Sequence, residues 1–480
     1  MKTFSIDTLG CKVNQYESQQ IRELLERLGL QQVETCNRPD LAVINTCCVT
    51  HTASAKSRQY IRKALRLSPN STLVVCGCLP TVKTGELRNL DENVLLVKDR
   101  SNLAATLHQI VAGNTAAPKP EGSRCHPDSM IKPENVSKVK CKNELAYPAM
   151  LGPLSSYKGQ TRAFLKVQDG CDGYCTYCII PTVRPVVRSK PIATVLQEAQ
   201  ALIKDAHKEI VVTGIFLGAY GQSTVRRKNW PSGRNDRLAD LLDKLAEIPD
   251  LARIRLSSLE PADVTDRLLD AFRRHRNIMS HLHLSLQSGS NAILKKMCRP
   301  YTADDFLEKV ELIRSRLDRP AITTDIIVGF PTETDADFEQ TVKMAKDVGF
   351  AKMHVFAFSP RRGTAAAAMQ GKVDTKVIKQ RSKVLRELDA GLQRKFRQQF
   401  IGETMTVLIE NGPGQPHGRA ERYFMVYLKN PAQAAKTNDL VTVMLLENSE
   451  SGVIGELAPD GNFEAPLTSL CPARESTLRP

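Results

Sequence analysis

The chain has 480 residues, 41% of them hydrophobic and 25% charged, with a formal net charge of +15. Such a balance belongs to a globular protein of roughly two to four domains and excludes a disordered or membrane-embedded one. The opening MKTFSIDTLGCK is broken by Asp7 and Lys12 and has no apolar h-region, so neither a signal peptide nor a membrane span is predicted, and the cytoplasm is the expected compartment. The excess of cations points to a polyanionic partner, nucleic acid first. Thirteen cysteines in a reducing compartment read as metal ligands or buried thiols.

Residues 1–113 alternate strands and helices. Residues 3–8, 41–46 (LAVINT) and 72–76 (TLVVC) are short apolar strands; Ile21, Leu24, Leu25 and Leu28 recur at helical spacing, and 53–67 form a second helix. This is a doubly wound α/β pattern with a parallel sheet. Cys11, Cys47 and Cys78 each lie just past the carboxyl end of a strand, where loops of such a sheet face one crevice, so the three can converge on one cluster. Singly, each would read as a small buried hydrophobe. Cys76 falls inside its strand and is expected to pack in the layer, which leaves Cys78 as the ligand.

Residues 114–156, rich in Pro, Lys, Ser and Asn, read as a linker, with Cys125 and Cys141 incidental. From 157 to 390 six strand-like runs begin near 163, 209, 253, 281, 322 and 352, separated by helical patterns. Six units predict a partial (β/α)6 TIM-like barrel with a lateral mouth and its site at the carboxyl ends of the strands. Val377, Val384, Leu385, Leu388, Leu392 and Phe396 mark one face of a long exit helix. Three strand runs between 399 and 460 then predict a small antiparallel β-barrel ending near Glu456, and the 461–480 tail, with Cys471, has no periodic pattern.

The stretch QDGCDGYCTYCIIP follows the first barrel strand. Its Cys171, Cys175 and Cys178 have the CxxxCxxC offsets that can hold three corners of a cubane iron-sulfur cluster and leave one iron open. A closed zinc site would need a fourth ligand close by, for which His207 is the nearest candidate, and a disulfide reading strands one thiol of three. An open iron inside a barrel can chelate the amino and carboxylate groups of S-adenosylmethionine (SAM), and one electron then releases a 5′-deoxyadenosyl radical.

At this triplet the chain resembles the radical-SAM superfamily. TLGCKVNQYES, INTCCVT, CGCLPT, RLSSLEP, HLSLQSGSNAILKKMCRPYT and TTDIIVGFPTET together resemble the methylthiotransferases over nearly the whole length. The resemblance implies two 4Fe-4S clusters, the radical one on Cys171, Cys175 and Cys178 and an auxiliary, sulfur-supplying one on Cys11, Cys47 and Cys78. It also implies SAM as radical source and methyl donor, a C-terminal TRAM domain, a tRNA anticodon loop as partner and a reductase as electron source. Tyr177 fills the aromatic place that in relatives packs near the adenine of SAM.

Thr213 and Gly214, Glu260, and Gln287 with Ser288 end three barrel strands and are expected to face the cofactor, although Glu260 also suits a helix cap. Asp325, a carboxylate in an apolar strand, needs a partner or points into the mouth. Arg299 is a candidate substrate contact, and the basic runs 226–228, 273–276 and 394–397 are candidate phosphate grips. GCKVNQYES most resembles the branch acting on C2 of threonylcarbamoyl-adenosine, while HVFAFSPRRGTAAAAM departs from it at Arg362 and Ala365. Other branches act on isopentenyl-adenosine or a ribosomal-protein aspartate, and a zinc-containing RNA-binding protein is the non-enzymatic alternative.

Overall fold

The computed structural model describes residues 1–82, 87, 94–113, 151–230, 236–412, 414–429 and 435–462. Cys125, Cys141, Cys471 and most of the expected linker and tail lie outside these. In the first unit, strands β1 (Thr3–Thr8), β2 (Gln31–Gln32), β3 (Leu41–Thr46), β4 (Thr72–Gly77) and β5 (Val94–Leu96) form an all-parallel sheet in the order β2-β1-β3-β4-β5. The expected strands are present; the two edge strands are too short to leave a pattern. Because side chains alternate along a strand, Leu41 and Val43 pack with α1 (Lys12–Arg27) and α3 (Leu103–Val111), whereas Ala42 and Ile44 pack with α2 (His51–Leu67) on the other face. Helices on both faces make the unit doubly wound.

The central wall contains β6 (Arg162–Asp169), the antiparallel edge strand β7 (Arg188–Ser189), β8 (Glu209–Gly214), β9 (Arg253–Leu256), β10 (Ser258–Leu259), β11 (His281–Leu284), β12 (Ala321–Val328) and β13 (Lys352–Ala357). It comprises two sheets, β7-β6-β8-β9 and β10-β11-β12-β13. The expected third strand breaks at Ser257, whose N–H turns to the Val212 carbonyl (2.9 Å). Six parallel units remain, an open barrel. The crossovers carry α4 (Ile180–Val183), α5 (Ile192–Lys204), α6 (Arg237–Ala246), α7 (Asp266–Arg274), α8 (Asn291–Lys296), α9 (Ala303–Arg316), α10 (Asp335–Val348) and α11 (Ala365–Ala368).

The exit helix α12 (Thr375–Gln398) buries Arg381, Leu385 and Phe396 and packs Ile378, Leu388 and Leu392 on the core; Val384, expected on that face, is exposed. The end of the expected linker also belongs to the core, with Leu154 and Tyr157 buried and the Ser155 and Ser156 amides donating to Glu23 Oε1 (2.8 and 2.6 Å).

The C-terminal strands β14 (Thr404–Asn411), β15 (His417–Ala420), β16 (Met425–Leu428), β17 (Leu440–Asn448) and β18 (Val453–Asn462) close into a barrel, β14-β15-β16-β18-β17. It departs from the expectation in two ways: β16 and β18 pair in parallel, and the last strand runs past Glu456 to Asn462. This barrel seats on the amino-terminal end of the central one. Arg253 donates to Arg419 O (3.0 Å) and Thr406 Oγ1 (2.7 Å), and Arg255 to Ala420 O (2.8 Å) and Glu421 O (3.0 Å). Both guanidiniums are fully buried beside Glu209, 2.9 Å from Arg255 and 3.5 Å from Arg253. Burial pushes the Glu209 carboxyl up, but the arginines more than offset this and hold it below the usual range.

Removing one member of a buried ion cluster leaves the other charge uncompensated, at a cost of about 3–5 kcal/mol. Arg255→Met is therefore expected to lower unfolding stability by that order in a denaturant titration and to open a proteolytic site between α12 and β14.

Candidate functional site

The CxxxCxxC loop leaves β6 at the carboxyl end of the barrel. Gly170 makes the turn possible: at φ +79°, any Cβ there would strike the Val186 carbonyl. The Cys171 amide then donates to Arg184 O (2.9 Å), and Thr176 ties the loop to the end of α8 through Met297 O (3.1 Å) and Lys296 O (2.8 Å). The three thiols are half-buried and lie within electrostatic reach of one another. Burial pushes Cys171 up to about 12 and Cys178 to about 11. Gly173 N–H approaches Cys171 Sγ (3.3 Å), and Arg299 donates to Cys175 Sγ (3.2 Å). Three soft donors with positive hydrogen-bond donors around them are the environment a thiolate-bound iron cluster needs.

Cys11, Cys47 and Cys78 stand where β1, β3 and β4 end and also interact electrostatically with one another. Close backbone approach sets their spacing. Gly10 lies at φ +109°, where an added Cβ would come within 2.7 Å of Cys47 Cβ; Gly77, at φ +90°, rests on the Thr46 carbonyl. Asn14 Nδ2 bridges Leu9 O (2.8 Å) and Thr46 O (2.9 Å), and Ser57 Oγ bonds both backbone groups of Cys47 (3.2 and 3.0 Å). Burial pushes Cys47 up to about 12. Cys78 goes the other way, down to about 5, because the Cys48 thiol donates to it and Arg184 and Arg100 stand beside it, with Arg100 Nη2 at 3.2 Å. Cys76 is buried in the sheet core with Phe4 and Val74.

The two thiol groups flank α4. Ile179 and Val183 pack directly against Cys48, Cys78 and Leu79. Arg184, at the end of α4, reaches into the first unit, with Nη2 2.7 Å from Glu17 Oε2, Nη1 2.8 Å from Asp169 Oδ1 and Nη2 3.3 Å from Asn14 Oδ1. One residue thus contacts Cys171 through its carbonyl and influences Cys78 through its guanidinium. On the opposite edge of the open barrel, His51 N donates to Ser359 Oγ (2.9 Å) and Arg361 to Ser54 Oγ (2.9 Å). The first unit closes the lateral gap between β6 and β13.

Of the other expected residues, Thr213 is buried at the end of β8 and Gly214 rests on Gln168, whose Oε1 accepts from Phe216 N (2.7 Å). Glu260 is paired with Arg299 (2.7 Å) and Arg227 (3.2 Å), and its amide is capped by Asp263 Oδ2 (2.7 Å). Arg299 accordingly joins Glu260 to Cys175. Tyr177 packs beside Ile293, Met297 and Phe330. Gln287 sits at φ +69°, held by its amide on Asp325 O and its carbonyl under Ile327 N (both 2.9 Å). Ser288 is turned toward α10, its hydroxyl 3.4 Å from Thr341 Oγ1. Asp325 pairs with His283 (3.3 Å), and together with His354 these residues place ligand-type atoms within 4.8 Å of one another. His207, the nearest zinc candidate, is bonded to Tyr157 O (2.9 Å) and Thr161 O (3.2 Å).

Several cations of the basic runs are paired within the protein, Arg227 with Asp263 (2.6 Å), Arg274 with Asp243 (3.0 Å) and buried Arg397 with Asn448 Oδ1 (3.0 Å). The cationic face lies instead on α2, which has Lys56, Arg58, Arg62, Lys63 and Arg66 and no carboxylate. Arg184, Glu17 and Arg100 were missed because the signal is only that charged residues follow each cysteine motif.

Residues 165–345 match the radical SAM superfamily and residues 3–98 the uncharacterized protein family UPF0004. The chain is 36% identical over 458 residues to threonylcarbamoyladenosine tRNA methylthiotransferase MtaB of Chlamydia pneumoniae, covering 95% of this chain and 98% of that protein. It is 34% identical to the protein of that name in Thermotoga maritima (95% and 96% covered) and 32% identical to tRNA-2-methylthio-N(6)-dimethylallyladenosine synthase of Novosphingobium aromaticivorans (95% and 98% covered). In fold it is similar to the radical S-adenosylmethionine methyltransferase TsrM of Kitasatospora setae, with a TM-score of 0.53 at 14% identity over 76% of this chain and 74% of that one. With thiol triads on both sides of α4 and relatives matched over nearly their full length, the chain belongs to the radical-SAM tRNA methylthiotransferases, enzymes that use SAM and 4Fe-4S clusters.

Proposed function

We propose that this enzyme inserts sulfur and a methyl group at C2 of N6-threonylcarbamoyladenosine next to the tRNA anticodon. In this reading Cys171, Cys175 and Cys178 hold the cluster that binds SAM, and Cys11, Cys47 and Cys78 hold an auxiliary cluster that supplies sulfur. The observation that supports it is the pair of thiol triads, joined through the packing of Ile179 and Val183 on Cys78 and each met by an arginine. Cluster and SAM together supply a radical able to take the C2 hydrogen, which is too weakly acidic for a general base. Thr213, Gly214 and the Gln168 side chain offer the SAM amino group a polar floor, and Tyr177 offers its adenine an apolar wall. Arg299, fixed by Glu260, stabilises negative charge on Cys175. Arg184 and Arg100 do the same for Cys78 and keep it deprotonated for metal.

The RNA approaches over α2, whose first residues touch the loop after β13, and over Tyr174, an exposed ring with the Arg226 guanidinium 4.1 Å from its centroid. Base-on-aromatic stacking beside a cation suits a splayed loop nucleotide. A reductase supplies the electron. No described helix is long and apolar enough to cross a membrane, in keeping with work on tRNA in the cytoplasm.

Purified without oxygen, the protein is expected to contain iron and sulfide for two four-iron clusters, with Cys171→Ala losing one and Cys47→Ala the other; about four irons in the parent would sink the auxiliary assignment. Nucleoside mass spectrometry of tRNA from a strain lacking the protein should show methylthio-threonylcarbamoyladenosine replaced by its unthiolated precursor, and an unchanged level rejects the substrate. For the RNA path, Arg62→Gln with Arg66→Gln should flatten the plot of log affinity for tRNA against log salt by about 1.5, at roughly 0.7–0.9 per lost phosphate contact.

A further inference from the structure

Alternation along three neighbouring strands sorts their side chains onto two faces. Leu282 and Leu284 of β11, Ile322, Ile326 and Val328 of β12, and Met353 and Val355 of β13 pack into the core beneath the helices. The residues between them therefore face the barrel lumen, with His283, Asp325 and His354 in one row and Thr323 beside them. Register brings the row together, since His283 lies opposite Thr323 and Asp325 opposite His354. One ligand-type atom of each of the three lies within 4.8 Å of the other two, and the two imidazole rings stand 5.8 Å apart. Asp325 comes two residues, about 7 Å of strand, before Ile327. Ile327 and Tyr177 of the CxxxCxxC loop pack on the same apolar cluster, so the row lies one layer below that loop.

We infer that His283, Asp325 and His354 bind one divalent transition metal, of the zinc or ferrous class, inside the barrel. Two imidazoles and one carboxylate are the donor set of open metal sites, in which three protein ligands leave a further position free. Magnesium and calcium call instead for oxygen ligands throughout. The spacing agrees with a metal. Bonds of about 2.0–2.1 Å in a tetrahedral shell put neighbouring ligand atoms about 3.3 Å apart, and His283 Nε2 stands 3.3 Å from Asp325 Oδ2. That separation is long for a charge-assisted hydrogen bond, which closes to about 2.7–2.9 Å. The support behind His283 is of the kind a metal ligand needs: Thr323 Oγ1 holds its Nδ1 (3.0 Å) and is itself held by His281 Nε2 (3.1 Å), which leaves Nε2 turned to Asp325. None of the three ligands belongs to a thiol triad, so this centre is separate from the iron-sulfur clusters. Its free position faces the lumen, where a nitrogen or oxygen of a bound molecule can complete the shell.

Zinc is the probe, because iron at this site would be hidden among the cluster iron. Cluster-loaded protein dialysed against micromolar zinc should retain about one zinc per chain by plasma mass spectrometry, with its iron content unchanged. His354→Ala and Asp325→Asn should each lose that zinc. Thr323→Val, which removes the support of His283 and spares the ligands, should weaken zinc binding about 10- to 100-fold. Iron content of each variant controls for damage to the barrel. X-ray absorption at the zinc edge of the parent needs no variant: a first shell of nitrogen and oxygen at about 2.0–2.1 Å supports the site, whereas a sulfur shell at about 2.3 Å places the zinc on cysteine and overturns it. Absence of retained zinc in the parent, or equal retention by both ligand variants, overturns it as well.

Discussion

A buried ion cluster centred on Arg184 ties the first unit to the carboxyl end of β6. Arg184 is almost wholly enclosed, and its charge is compensated by carboxylates on both sides of the junction. Glu17 comes from the first unit, Asp169 from the end of β6, and Lys166 bridges the same two carboxylates at 3.0 and 3.2 Å. Burial pushes Glu17 up, yet Arg184 and Lys166 bring it down to about 2, so the network stays charged across ordinary pH. Because the Arg184 carbonyl also receives the Cys171 amide, a displacement of the first unit is transmitted to the CxxxCxxC loop. The ion cluster thus couples the positions of the two triads.

The same logic organises the whole molecule. A six-stranded open barrel exposes two surfaces that a closed barrel would hide, a lateral gap and the amino-terminal floor. The first unit spans the gap, held at β6 by Arg184 and beyond β13 by Arg361 and Ser359. The C-terminal barrel covers the floor, its carbonyls accepting from Arg253 and Arg255, while Tyr423 stacks on His281 at 4.0 Å. Both closures use arginines, which donate to backbone carbonyls, carboxylates and hydroxyls, contacts directional enough to set an orientation as well as an affinity. What remains open is the carboxyl end of the barrel, where both triads lie.

The parts legible in the sequence are those governed by local repetition. The apolar run LAVINT and the position of each cysteine just past a strand made the parallel sheet of the first unit and the convergence of Cys11, Cys47 and Cys78 readable from spacing and the crevice rule. Edge strands of two residues leave no such pattern, and the break at Ser257 depends on a bond to Val212 in the neighbouring strand. Arg184 was opaque for a related reason: its partner Glu17 is 167 positions away, and nothing near either residue announces a buried pair. Basic runs misled in the opposite sense. Their charge is visible in the sequence, but Arg227 and Arg274 pair with carboxylates and Arg397 with Asn448, whereas the cations of α2 are interleaved with apolar and small residues and do not read as a run.

The thiol triads explain the chemistry and leave the substrate undetermined. Relatives named for two different N6 groups both align over 95% of this chain, so what distinguishes them is carried by side chains set on a shared frame. Such side chains have to stand close to the base yet take no part in holding iron, and they must present unsatisfied polarity, since a fully bonded group has nothing left with which to discriminate. Glu260, Arg299 and Ser288 fail that requirement, each already bonded within the protein.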